Sequence, residues 1–174
     1  MPSTLTLEQV QILAEMAHHG QTDKIGVPYF KHVKAVSQAL SPFGEQMVMA
    51  GLLHDIVEDT PWTPLALLRM GVPEDVVSIV QTVTRDPKEP YSTGIHRITD
   101  RREAVLVKIA DNAHNSLPSR TRAITDKTAR MRLEEKYYNA RDVLWAFATK
   151  SEIEKILNLV NPALKSEFPE RYTR

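Results

Sequence analysis

Apolar residues recur at three- and four-residue spacing almost from end to end of this 174-residue chain, and no stretch sustains the alternation of a half-buried strand. Helices patterned this way bury their apolar stripes against one another, so the spacing predicts an all-α bundle. Local signals divide it. Thr6, with Gln9 three positions on, makes a capping box for a first helix that stops near Gly20. A second is predicted from about Pro28 to Leu40. Ser41-Pro42 reads as the cap and first residue of a third, running through MVMAGLLHDIV. Thr63-Pro64 repeats that signature for a short helix ending at Gly71, and Pro73 opens another through Thr84. Beyond Pro87 and Pro90, helices are expected near 93–99, over about Arg102–Leu117 as far as Pro118, over about Asp126–Thr149, and near 152–160. With no repeat, low-complexity stretch or linker to divide it, the chain is expected to form a single domain over residues 1–174.

Composition narrows the function. Apolar content of 42% and charged content of 25% exclude a disordered chain. The absence of cysteine excludes a disulfide framework and thiolate metal sites, and it suits a reducing cytosol. The start, MPSTLTLEQV, has no basic patch and apolar core of a signal peptide, and no apolar run approaches the roughly 20 residues of a membrane span. A cytoplasmic protein without a membrane partner is expected. The zero net charge conceals an asymmetry: residues 1–84 hold four Lys/Arg against nine Asp/Glu, and residues 85–141 hold thirteen against eight. Acidic groups for a cation beside a basic rim for an anion suit a phosphate-bearing substrate. Nucleic acid is disfavoured as a partner by the neutral total and the lack of a binding motif, while a homo-oligomer stays open.

The chemistry concentrates in LLHDIVEDT, residues 52–60. His54 and Asp55 end an apolar helical run, and Glu58 and Asp59 follow each of them by four positions. If the helix continues, the four share one face, and packing them together calls for a cation. His32, in GVPYFKH, and Asp111, in VKIADNAHN, lie on other predicted helices. Two imidazoles and two carboxylates, completed by water, suit a six-coordinate Mn²⁺ or Fe²⁺ better than a structural zinc. Such an ion lowers the pKa of water and offsets phosphoryl charge, and Glu58 and Asp59 can move the proton. Singly, each residue has a bland alternative: a partly buried polar His32, a solvated turn at Glu58-Asp59 before Pro61, an exposed helical Asp111. Their order and spacing together favour the site.

That order, His…His-Asp…Asp, resembles the HD-domain metal phosphohydrolases. More narrowly, the chain is similar over about residues 10–147 to the hydrolase domain of RelA/SpoT proteins and to the small alarmone hydrolases. The likeness rests on His19-Gly20-Gln21, on Gly26-x-Pro28-Tyr29-x-x-His32, and on Leu53-His54-Asp55-x-Val57-Glu58-Asp59-Thr60. Val107-Lys108-x-Ala110-Asp111 followed by His114-Asn115 completes it. The resemblance implies an HD helical bundle, His32, His54, Asp55 and Asp111 as metal ligands, a catalytic Glu58-Asp59 pair, and Asn115 facing the nucleotide. Members of that family remove the 3′-pyrophosphate of guanosine tetra- or pentaphosphate with Mn²⁺, and some animal relatives dephosphorylate NADPH.

Three positions depart from the family pattern. Asp23 stands where an Arg usually packs on the guanine, though Lys24 beside it is kept. Asn112 replaces a basic residue, and Val33 replaces a proline. An anion at position 23 is expected to repel phosphate and weaken the guanine preference. Lys108, Arg85, Lys88, Arg97, Arg120 and Arg122 are candidates for a phosphate clamp, of which two or three are expected to serve. Tyr137, Tyr138 and Trp145 are expected in the core rather than as a stacking platform. The leading function is therefore alarmone hydrolysis. The alternatives are a nucleotide or NADPH phosphatase of the same fold and, in another class, a non-catalytic nucleotide sensor.

Overall fold

Thr6 caps the first helix as its sequence requires. Its hydroxyl accepts from Gln9 N at 3.3 Å while Gln9 Oε1 accepts from Thr6 N at 2.9 Å, opening α1 (Leu7–Ala17). The structure, a computed structural model, describes residues 4–169, so the first residues of the MPSTLTLEQV stretch and the last five of the expected domain lie outside them. After α2 (Phe30–Ala39), Ser41-Pro42 does not open the third helix. Ser41–Phe43 makes a 3-10 turn of its own, and Gly44, at φ +98°, redirects the chain into α3 (Glu45–Leu53). That left-handed angle suits glycine, which has no side chain to clash there. Nor does the third helix run on through the His-Asp pair. Asp55 sits at φ −103°, ψ −2°, and a separate single turn, α4 (Ile56–Asp59), follows.

Thr63 and Gly71 bound α5 (Pro64–Met70) as expected, the glycine in the left-handed conformation. Then come α6 (Glu74–Val83), α7 (Tyr91–Ile98) and α8 (Arg102–Asn115). Pro118 stops α8 but also starts another turn, α9 (Pro118–Thr121), since proline fits the first helical position. Asp126 caps α10 (Lys127–Trp145), which stops four residues short of Thr149. Thr149 belongs instead to the next element: with Glu152 it forms the capping box of α11 (Lys150–Val160). A 3-10 turn over Pro162–Glu167 ends the described fold. Among the described residues there is no strand, only an isolated bridge between Thr22 and Pro28. No described helix is long and apolar enough to cross a membrane.

The hub is α8, which packs against α2, α6, α10 and α11. Ala104–Val107 and Ile109–Ala113 on it are all buried, Asp111 and Asn112 among them, because neighbours cover most of the helix. Each fully buried Leu or Ile, such as Leu106 and Ile109, contributes about 1.5–3 kcal/mol. Trp145 joins this core, whereas Tyr138 is exposed and Tyr137 is half-buried on a cavity wall.

Helices α2 and α3 approach so closely at Gly51 that a Cβ there would stand 2.7 Å from Ser37 Cα and 2.9 Å from Leu40 Cδ1. Gly51→Ala should therefore destabilise the fold by about 1–3 kcal/mol through overpacking against main chain. A lowered urea midpoint with unchanged slope is the expected reading, and an unchanged midpoint would show that the two helices separate freely.

Candidate metal centre

The helix contact at Gly51 also brings two histidines together. His32, in the first turn of α2, and His54, at the end of α3, are both buried with ring centroids 5.3 Å apart. His54 Nδ1 donates to Gly51 O at 2.7 Å, which turns its Nε2 lone pair toward the site, where that buried atom has no hydrogen-bond partner. His54 Nε2 stands 2.9 Å from Asp55 Oδ2 and 3.9 Å from Asp111 Oδ1; His32 Nε2 stands 3.5 Å and 3.3 Å from the same oxygens. One donor atom each of His32, His54 and Asp55 lies within 4.8 Å of the others. Two donors at right angles on an ion with bonds of about 2.0–2.3 Å stand about 3 Å apart, so the spacing fits a divalent cation. Burial alone would depress His54, but Asp55 and Asp111 raise it to about 9, while both carboxyls stay well below their ordinary range.

The partners behind these donors set their direction. Tyr29, three residues before His32, donates its hydroxyl to Asp55 Oδ2 at 2.6 Å. On α8, Lys108 and Asn115 flank Asp111 at the spacings that share a helical face: Lys108 Nζ donates to Oδ2 at 2.7 Å and Asn115 Nδ2 to Oδ1 at 2.6 Å. Burial would lower Lys108, yet Asp111 beside it keeps it charged. His32 Nδ1 lies 2.8 Å from His114 Nδ1. If His32 faces a cation through Nε2, Nδ1 carries the proton and His114 must accept it. Burial and His32 push His114 down to about 3, which keeps it a neutral acceptor.

Glu58 and Asp59 line the floor of a cavity of about 370 Å³, with Asp55 and Asp111. Arg85 N donates to Glu58 Oε2 at 3.1 Å, and Gln21 Nε2 to the Asp59 carbonyl at 2.8 Å. Burial holds both carboxyls above their ordinary values, with Asp55 adding to the effect. Lys24, Lys108, Asn115, Arg97, Arg85 and Arg120 also line it. Arg97 spends its donors on Thr82 O, Thr84 O and Glu89, so it braces the wall more than it offers charge. Lys88 and Arg122 lie outside the lining. Lys136, from α10, sits 4.0 Å over the Tyr91 ring on the same wall.

Asp23 departs from expectation. It is no free anion at the mouth: Oδ1 accepts from Ile25 N and Val27 N, both at 3.0 Å, and Oδ2 accepts from Arg120 Nη1 at 2.8 Å. Burial would raise this carboxyl, but those two amides and Arg120 bring it below its usual value. Of the residues the sequence reading left without a role, Tyr29 lies within its own GVPYFKH motif, one turn from His32. Arg120, expected above as a phosphate-clamp candidate, pairs with Asp23 97 positions away, a contact with no local signal.

A family profile described as the HD domain matches residues 11–149. The chain is 30% identical to the guanosine-3′,5′-bis(diphosphate) 3′-pyrophosphohydrolase MESH1 of Danio rerio, over 98% of this chain and 93% of that protein. It is 35% identical to a GTP pyrophosphokinase of Streptomyces coelicolor over 75% of this chain, and 30% identical to the bifunctional (p)ppGpp synthase/hydrolase SpoT of Escherichia coli over 95% of it. It spans only 17% and 25% of those two bacterial proteins. A solved structure described as a metazoan ortholog of SpoT that hydrolyzes ppGpp matches with a TM-score of 0.73 at 24% identity, covering 91% of this chain and 97% of that one. That likeness concerns the fold.

Two predictions follow from the site's geometry. His114→Ala should weaken Mn²⁺ binding about 10–100-fold by freeing the His32 ring, as losses behind a metal ligand do; unchanged affinity by calorimetric titration would remove His114 from this role. Asp23→Arg should cost on the order of 3 kcal/mol, because it sets a second guanidinium against Arg120 in a largely buried place. A urea midpoint equal to wild type would refute the pairing.

Proposed function

The chain belongs to the HD domain family, and on that premise we propose that it is a cytoplasmic, Mn²⁺-dependent hydrolase removing the 3′-pyrophosphate of guanosine tetra- or pentaphosphate. The observation that supports this best is the convergence of His32, His54, Asp55 and Asp111, with the two aspartates opening onto a cavity that the Glu58-Asp59 pair also lines. A volume of about 370 Å³ lies in the range of small-ligand sites. The MESH1 relative, similar over nearly its whole length, is named for this reaction.

In this reading the four residues would hold the ion, which when bound would acidify a water and offset phosphoryl charge. The chain's own groups do the rest. Arg85 N–H occupies Glu58 Oε2, which leaves Oε1 to take a proton from the attacking water. Asp59, also held above its ordinary value by burial and lining the same cavity, can relay the proton taken up by Glu58 toward the leaving group. Tyr29 keeps Asp55 pointed inward, and Lys24, Arg85, Lys108 and Lys136 balance the phosphates along the walls. A phosphatase acting on NADPH or another nucleotide is the second reading, favoured by Asp23, whose carboxylate stands on the wall bound to Arg120 instead of offering a guanidinium to a purine. A non-catalytic sensor has no use for the complete ligand set together with Glu58 and Asp59.

With Mn²⁺ present, pyrophosphate should be released from guanosine 3′,5′-bis(diphosphate), and chelation should abolish turnover. Inorganic phosphate released from NADPH, with the tetraphosphate untouched, would favour the second reading. Glu58→Gln and Asp59→Asn should each lower kcat on the order of 10²-fold or more while the protein still binds Mn²⁺. Near wild-type turnover in both would place the proton-transfer groups elsewhere. Asp55→Ala should lose the metal and the activity together.

A further inference from the structure

We infer that Gln21 is a positioning residue for the catalytic pair, acting through the main chain of Asp59. The inference rests on the hydrolase reading above. Helix α4 is a single turn, too short to hold its own geometry, and it ends at Asp59. Its last carbonyls have no helical partners of their own. The Thr60 hydroxyl caps Ile56 O, and the Asp59 carbonyl is taken by Gln21 Nε2 at 2.8 Å. Gln21 reaches it from the loop after α1, while Arg85, from the loop after α6, holds Glu58 through its N–H. The Glu58 carboxylate and the Asp59 main chain are thus each held by a loop that meets α4.

Gln21 is itself held from every side. His18, buried at the end of α1, faces Gln21 Oε1 through Nδ1 at 2.7 Å. With the amide nitrogen donating to a carbonyl, the amide oxygen must accept, so the orientation of the side chain follows from its partners. Its main chain takes part too: Gln21 N donates to His18 O at 3.1 Å and Tyr29 N donates to Gln21 O at 2.9 Å. The His18 ring lies 5.2 Å from Tyr29, whose hydroxyl holds Asp55. One residue therefore references both the element that orients a metal ligand and the turn that presents Asp59. Removing the amide donor leaves the four ligands and the cationic walls in place and frees only the end of α4. The effect should fall on kcat, with KM and Mn²⁺ affinity kept.

The test compares Gln21→Met, which keeps the volume, Gln21→Glu, which keeps an acceptor, and Gln21→Lys, which keeps a donor. Turnover of guanosine tetraphosphate and of bis(p-nitrophenyl) phosphate is measured with Mn²⁺. Met and Glu should lower kcat about 10–100-fold, as expected for a reacting group displaced by about 1 Å. KM and the Mn²⁺ dissociation constant should stay within about twofold, and Lys should recover most of the loss by donating to Asp59 O. Full turnover in the Met variant, or a loss in Lys equal to that in Met, would overturn the inference in favour of simple packing. Wild type inert toward the tetraphosphate but active on the diester would sink the alarmone reading alone, and the diester series would still decide Gln21. Were wild type inert toward both, crystal structures of wild type and Gln21→Met with Mn²⁺ decide it. A displaced Asp59 with unmoved ligands supports the role, and an unmoved Asp59 refutes it.

Discussion

Two carboxylates buried against two imidazoles inside an apolar bundle would be prohibitive without compensation, and much of the structure around them supplies it. Asp55 accepts from a tyrosine hydroxyl, Asp111 from a lysine and an asparagine, and His54 donates a hydrogen bond to a main-chain carbonyl one turn back. These bonds fix the orientation of each donor: His54 turns its other nitrogen to the carboxylates, and Asp55 Oδ2 and Asp111 Oδ1, the oxygens nearest the imidazoles, are themselves held by Tyr29 and Asn115. The close passage of α2 over Gly51 makes the arrangement compact, because a bulkier residue would part the two histidine-bearing helices.

The interruption after Leu53 matters as much as the helices it separates. A continuous helix would carry His54 and Glu58 up one face at equal radius. With Asp55 off helical geometry, α4 starts afresh, and its two acidic side chains reach the cavity floor alongside the ligand cluster. The chain gives up a few helical hydrogen bonds at the one place where direction is worth more than regularity. Such concessions are expected at functional sites.

Most of the helices were legible because their signals are local. Thr6 with Gln9, Thr63-Pro64 and Gly71 act within one turn, and all three behave as read. Ser41-Pro42 and Thr149 misled because the same residue types end one element or start another, and only tertiary packing decides which. Ser41 opened a 3-10 turn, and Thr149 capped the helix after the one it was assigned to. In the site, residue type and order marked His32, His54, Asp55 and Asp111, and the fold brings them together. Their partners were less visible. Tyr29, Gln21 and His114 sit inside the quoted motifs, yet what each one touches depends on how loops cross. Asp23 illustrates the limit: its charge was plain, but its neutralisation by Arg120 is a fact of folding alone.

Helix α8 is at once the axis of the core and the bearer of Lys108, Asp111 and Asn115. The donors that face one another come from positions 32, 54, 55 and 111, so the full set meets only once α8, which carries Asp111, has packed against α2. On the metal reading proposed above, a partly folded chain offers no complete site, so an ion's binding energy would accrue to the native state. In a cell, the free concentration of a suitable divalent cation would thereby set how much of this protein survives proteolysis, linking its abundance to metal supply before any nucleotide is met.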